Sequence, residues 1–368
     1  MKKYEIIPLN AFKYDDDKII NNYNIKKTNI NYLNYISLVK IISTVFVVMM
    51  HTNRHYYVFN RYWESTNLIT GIIYCAVPLF CLCIGATLLD FNKRYGLKIY
   101  YQRRIVKIII PIIGWNFIFY FYRVYFLKNF KKGNLNFVYI YHLYFDNLLY
   151  PITNSLRIFL IGYMIIPLIS TVEAVKKIKI YFYCFIVLFI NQSLIPYLIN
   201  SFKPTLKYWP YNYNFGYIIY LFAGYIIQNY KIKSLYKFLI YIFGIIAVIT
   251  RIKLAHYKTM KNKKVDSTQL GYVNLPCVIY SCSIFLFIKE YSFLFFKIIN
   301  IKYINKIATL SMGPFFLHYL VIWTFQYFFK FNEYSFAYRF YGAFIISFIC
   351  FIITSIFKKI PLIKHLTP

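Results

Sequence analysis

Acidic residues are scarce: 11 Asp and Glu stand against 43 Lys and Arg in 368 residues, a net charge of +32. Most of them (Glu5, Asp15, Asp16, Asp17, Glu64, Asp90, Asp146, Asp266 and Glu333) fall in the first stretch, in connections or at the ends of apolar runs. Ion-coupled carriers commonly need a carboxylate near the bilayer midplane. No run offers a good one, which counts against that class. No internal repeat is visible either, so the repeat signature of many transporters is missing. The 7 cysteines are odd in number, sit in or beside apolar runs and lack zinc-type spacing with histidines. Neither a disulfide framework nor a metal site is indicated, and they read as small buried hydrophobes. Residues 1–34 lack the apolar core and small-residue cleavage site of a signal peptide.

Apolar residues are what the chain has in abundance. It is 60% hydrophobic and 23% aromatic, with a mean hydropathy of +0.50. Runs of about 20 apolar residues recur from Ile36 onward, each long enough to cross a hydrocarbon core. The expected fold is therefore all-α: a polytopic integral membrane protein with about ten transmembrane helices. These fall near 35–52, 68–90, 105–127, 150–172, 180–200, 214–230, 236–254, 271–289, 306–329 and 338–358. Residues 1–34 read as a polar cytoplasmic tail, 35–358 as one transmembrane domain and 359–368 as a short cytoplasmic C-terminal tail. Counting Lys and Arg in the connections gives about 25 on the inner side against about 14 outside, with both termini cytoplasmic. The 256–266 loop dissents, placing Lys258, Lys261, Lys263 and Lys264 outside. The positive charge itself reads as residue bias from an AT-rich coding sequence plus loop topology, so no nucleic-acid partner is expected; membrane lipids are.

Three places within this apolar background hold residues that could do chemistry. Lys40 lies inside the first run and His51 closes it, eleven residues apart. At 1.5 Å rise and 100° per residue they are about 16 Å apart and about 20° out of register, on one helix face. A cation low in a groove and an imidazole higher up would suit proton transfer near neutral pH. The plainer reading is a histidine in the headgroup zone and a lysine snorkelling to the surface. The second place is Arg103-Arg104-Ile105-Val106-Lys107, where paired guanidinium donors would suit phosphates, although the positive-inside rule also explains basic loops. The third is His318, in Gly313-Pro314-Phe315-Phe316-Leu317-His318. Its span is expected to bend at Gly-Pro, and the histidine is either functional or a hydrogen-bonded interior residue. Arg123 and Arg157 also sit in apolar context, and Pro167 marks a bend or an end in its span.

In this order these elements resemble the membrane acyltransferase 3 family, in particular its surface-glycan O-acetyltransferase branch. The stretch LVKIISTVFVVMMH, ending at His51, is similar to the family's opening motif of a basic residue, ten others and a histidine. VPLFCLCIGATLL (77–89) looks like the second-span signature, and YYQRRIVKIIIP (100–111) like the inner-loop arginine motif. GYMIIPLIS, with Tyr163, and FFLHYL match later landmarks. The resemblance covers residues 35–330, and the first two motifs are its specific part. There are departures: Lys40 stands where the family has arginine, Ser37 where an acid is frequent, and Ile84 where serine precedes the glycine. Lys107 holds the second arginine position, beside Arg103 and Arg104.

The resemblance implies a ten-span enzyme that takes an acyl group, usually acetyl, from acyl-CoA and places it on a hydroxyl, usually of a sugar. Lys40, Arg103, Arg104 and Lys107 would bind the polyanionic donor. His51 would be general base or transient acyl carrier, and His318 would share a proton or orient the site. The acceptor would be a cell-surface or lipid-linked glycan, and the location the plasma (inner) membrane. No metal is implied, and the oligomeric state stays open. Two other readings remain: a lipid-linked glycan flippase or other transporter, and an inactive membrane relative.

Overall fold

The structure, a computed structural model, describes residues 30–126, 153–202, 216–361 and 363–367. Every regular element among the described residues is helical. In chain order these are α1 (Ile30–Thr52), α2 (Trp63–Lys93), α3 (Leu97–Phe126), α4 (Thr153–Ser170), α5 (Lys176–Ser201), α6 (Ile218–Asn229), α7 (Ser234–Asn262), α8 (Leu275–Ile298), α9 (Ile301–Thr309), α10 (Met312–Phe329) and α11 (Tyr338–Phe357). Seven of them, α1, α2, α3, α5, α7, α8 and α11, are long and apolar enough to cross a membrane. Of the about ten spans expected, seven are thus present at full length among the described residues. α9 and α10, bent by 62° at their break, are together long and apolar enough to make an eighth. α6 has 12 residues, which at 1.5 Å each reach about 18 Å, less than a hydrocarbon core of roughly 30 Å. α4 is the other short apolar helix.

The bend in the α9–α10 span falls at Leu310–Ser311, ahead of the Gly313-Pro314 pair. Proline's missing N–H has no intrahelical partner to lose in a first turn, and Pro314 occupies the first turn of α10. Gly-Pro therefore starts the helix that carries His318 and does not kink it midway. At the break the Thr44 hydroxyl of α1 is shared between the Lys40 carbonyl of its own helix at 2.8 Å and the Ser311 carbonyl at 3.3 Å.

α1 is the hub, packed by α2, α8, α9, α10 and α11. Its buried residues include Ile36, Val39, Ser43, Thr44, Val47 and Val48, which wrap nearly around the helix as expected for a central span. α2 and α6 approach more closely still. A Cβ placed on Gly85 would overlap the Leu221 carbonyl oxygen, and one on Gly224 would overlap that of Leu82. This reciprocal contact explains why a glycine belongs in the 77–89 stretch: only backbone fits between the two helices. Gly85→Val is expected to destabilise the protein by about 1–3 kcal/mol through overpacking. Thermal unfolding in detergent would measure it, and an unchanged midpoint would show that the helices separate freely.

Candidate active site

Fold contacts bring together His51 and His318, residues 267 positions apart. α1 and α10 pack side by side, and the two imidazoles lie stacked with ring centroids 4.9 Å apart. A third group joins them that the sequence reading passed over. The Tyr319 hydroxyl lies 2.6 Å from His51 Nδ1, and its ring lies 4.5 Å from His51 and 4.8 Å from His318. His318 is fully buried. Its Nδ1 lies 2.8 Å from the Pro314 carbonyl; a carbonyl only accepts, so the proton is on Nδ1 and donates. His318 Nε2 is left buried with no hydrogen-bond partner among the described residues. Buried polar atoms are normally paired, so an orphan beside a second imidazole has a ready use in binding or proton handling.

Lys40 sits eleven residues before His51 on α1. Its helix-face neighbours Ile36, Thr44 and Val47 are buried, yet Lys40 is exposed and His51 only half-buried. Lys40 thus presents its charge at the surface of α1 on the face that carries His51. Lys40 lies within electrostatic reach of the Cys83 thiol of α2, which in turn neighbours Tyr163 of α4. The Tyr163 ring lies under the Arg104 guanidinium.

The arginine pair is built on the first turns of α3. Arg104 lies over the rings of Tyr100 and Tyr163, at 5.5 and 5.1 Å, and its Nε is buried without a hydrogen-bond partner. Arg103 lies over Tyr95 at 4.5 Å, and Arg94 is close enough for its charge to oppose those of both. Three guanidinium groups within mutual repulsion favour an anion between them. Lys107 follows, half-buried in a π-turn at Ile105–Ile109. The cations expected to hold a donor thus share one end of the bundle, and the histidines stand towards the other.

Beyond His51 a dense polar network fixes the end of α1. Arg339, 1% exposed, sits in the π-turn that opens α11. It donates to Asn53 Oδ1 at 3.2 Å, to Ser65 Oγ at 2.6 Å, to the Tyr334 carbonyl at 3.1 Å and to Thr66. Thr52, next to His51, donates to the Arg339 carbonyl at 3.0 Å. This arginine gave no signal in the sequence beyond heading an apolar run. Outside it lies Glu333, which accepts from Arg54 at 2.6 Å and sits 2.8 Å from His55 Nε2. Burial alone would raise the Glu333 pKa, but the hydrogen bonds and charges of Arg54 and His55 outweigh it and hold the carboxyl below its ordinary range.

Other expected candidates fall elsewhere. Arg123 lies over Trp323 at 5.6 Å, one ring beyond Tyr319. The side chain of Arg157 lies outside the described residues, as does His142. His256 pairs loosely with Glu64 at 3.9 Å, on a groove that shares no residue with the histidine cluster. Among the described residues, no group of three His, Cys, Asp or Glu could hold a metal ion.

An all-helical bundle that stacks two histidines towards one end and gathers arginines at the other defines a polytopic membrane protein with polar side chains held among its spans. A family model described as an acyltransferase domain matches residues 33–357. The chain belongs to this acyltransferase 3 family and is a membrane acyltransferase. Comparison with curated proteins and with solved structures gave no match.

Proposed function

We propose that the protein is an O-acyltransferase that moves an acyl group, acetyl in the first instance, from acyl-CoA to a hydroxyl of a cell-surface or lipid-linked glycan. It would do so in the plasma (inner) membrane, with both termini cytoplasmic. The observation that carries this reading is the His51–Tyr319–His318 cluster, with Lys40 exposed on the same face of α1, at the end of the bundle opposite Arg94, Arg103 and Arg104. Cytoplasmic coenzyme A is a polyanion, and those guanidinium groups suit its phosphates. Lys40 and Lys107 add point charges along the way.

In this reading His51 takes the proton from the acceptor hydroxyl as its oxygen attacks the thioester carbonyl. The C–S bond then breaks and the departing thiolate takes that proton, so the products are the O-acyl glycan and the free thiol. Tyr319 holds the imidazole in place through Nδ1, leaving Nε2 towards the reacting hydroxyl. Alternatively His51 Nε2 carries the acyl group between two half-reactions.

The test is transfer of label. Membranes containing the protein, given radiolabelled acetyl-CoA, should release free thiol and place label in a polysaccharide or lipid-linked sugar fraction. Label lost by mild alkali would identify an ester. Thiol release without label in any glycan or lipid fraction would defeat the glycan assignment, and no release at all would defeat the donor.

A further inference from the structure

Resting on the coenzyme A reading, we propose that a cleft lined by Gly114, Trp115 and Asn116 of α3 and by Phe316 of α10 binds the amide-bearing arm of the donor, and that residues 363–367 occupy this cleft when no donor is bound. The segment after α11, expected as a short cytoplasmic tail, folds back onto the second half of α3. The Trp115 indole N–H donates to the Leu366 carbonyl at 2.8 Å. The Leu366 side chain rests on Gly114, where any Cβ would collide with it. Thr367 is fully buried and its hydroxyl has no hydrogen-bond partner among the described residues.

The second observation is Asn116. It lies on the buried stripe of α3 with Ile108, Pro111, Trp115, Phe119 and Tyr120, and is 1% exposed. Both its Oδ1 and its Nδ2 are buried and unpaired among the described residues. A carboxamide with donor and acceptor both orphaned is costly unless something completes it. Its complement is another amide. The segment 363–367, seated on Trp115, covers the cleft without completing Asn116, whereas either of the two amides in the arm of coenzyme A would complete it. Position agrees with this. Trp115 is eleven residues beyond Arg104 and eight beyond Lys107, roughly 16 and 12 Å along the helix, where the amide nearest the thioester would fall if those cations hold the phosphates. The Trp115 ring stacks on Phe316 at 6.4 Å, two residues from His318.

Equilibrium binding to the full chain in detergent tests this, comparing radiolabelled coenzyme A with adenosine 3′,5′-bisphosphate, which keeps phosphates and base but lacks the arm. Asn116→Leu should weaken coenzyme A binding about tenfold and leave bisphosphate binding unchanged. Its melting temperature should hold or rise, since a purely structural asparagine would instead be missed. Leu366→Ser, or removal of residues 363–368, should tighten coenzyme A binding; if the segment fills the cleft nine-tenths of the time the gain is about tenfold. Should the truncated chain fail to fold, Leu366→Ser decides. Coenzyme A affinity unaltered by either point variant, or both ligands weakened equally by Asn116→Leu, would overturn the cleft and its occupant. Failure of both ligands to bind the unaltered protein would instead overturn the coenzyme A reading itself.

Discussion

His51→Gln is expected to lower acyl transfer by about 10²–10⁴-fold, the usual contribution of a positioned general base, with donor affinity nearly unchanged. Glutamine keeps polarity and approximate size but cannot take a proton near neutral pH. His51 is half-buried at the end of α1, whose other contacts with α2, α8, α9, α10 and α11 survive the change, so folding should too. Tyr319→Phe should cost less. It removes one hydrogen bond to His51 Nδ1, worth about 0.5–1.5 kcal/mol, and should reduce kcat up to about tenfold without moving the KM for the donor. His318→Phe separates packing from chemistry: it keeps a ring against His51 and deletes the orphan Nε2. Steady-state rates with acetyl-CoA and thiol detection measure all three. Full activity in His51→Gln would remove the general base and the acyl carrier together.

What a sequence shows and hides is clear from these same residues. Lys40 and His51 share a helix face by arithmetic alone, because eleven residues are nearly a whole number of turns. The structure keeps them on one helix and adds what arithmetic lacks, the exposure of Lys40 among buried neighbours. Apolar runs located the long helices, yet length and bending were hidden, and α9 begins ahead of the run expected at 306–329. The bend at Leu310–Ser311 lies against Thr44 of α1, a neighbour 267 positions away with no local sign, and Gly-Pro, the conspicuous local signal, lies beyond it. Tyr319 was invisible as one of 42 tyrosines; only its distance to His51 sets it apart. Arg339 and Asn116 were hidden for a related reason. Their significance lies in burial and in which polar atoms face them, and neither quantity has a local pattern. The segment 359–368 read as a tail because its composition is that of a loop, whereas Leu366 finds its place on a glycine some 250 positions earlier.

Lys177 shows the same gap between composition and placement, and it carries the largest expected effect on stability. In the sequence it is one of a basic group with Lys176 and Lys179, of the kind topology places at the inner surface. In the fold it is 1% exposed, pairs with Asp90 Oδ1 at 2.8 Å and donates to the Leu89 carbonyl at 3.1 Å. Asp90 also accepts from Lys93 at 3.0 Å, so one carboxylate ties the end of α2 to α5 beside Arg94. Few acids were available for such a task, and this one is spent on holding the wall of the arginine-lined end. Asp90→Ala leaves an ammonium group buried with no counter-charge and is expected to cost about 3–5 kcal/mol, seen as a large fall in the unfolding midpoint in detergent. Lys177→Met in the same chain removes the stranded charge and fills the space with apolar atoms, so the double variant should recover most of that loss. Recovery would identify the pair as a matched structural tie. If Asp90→Ala alone left stability unchanged, Lys177 would have to reach water or another acid, and the tie between α5 and α2 would be wrong at that point.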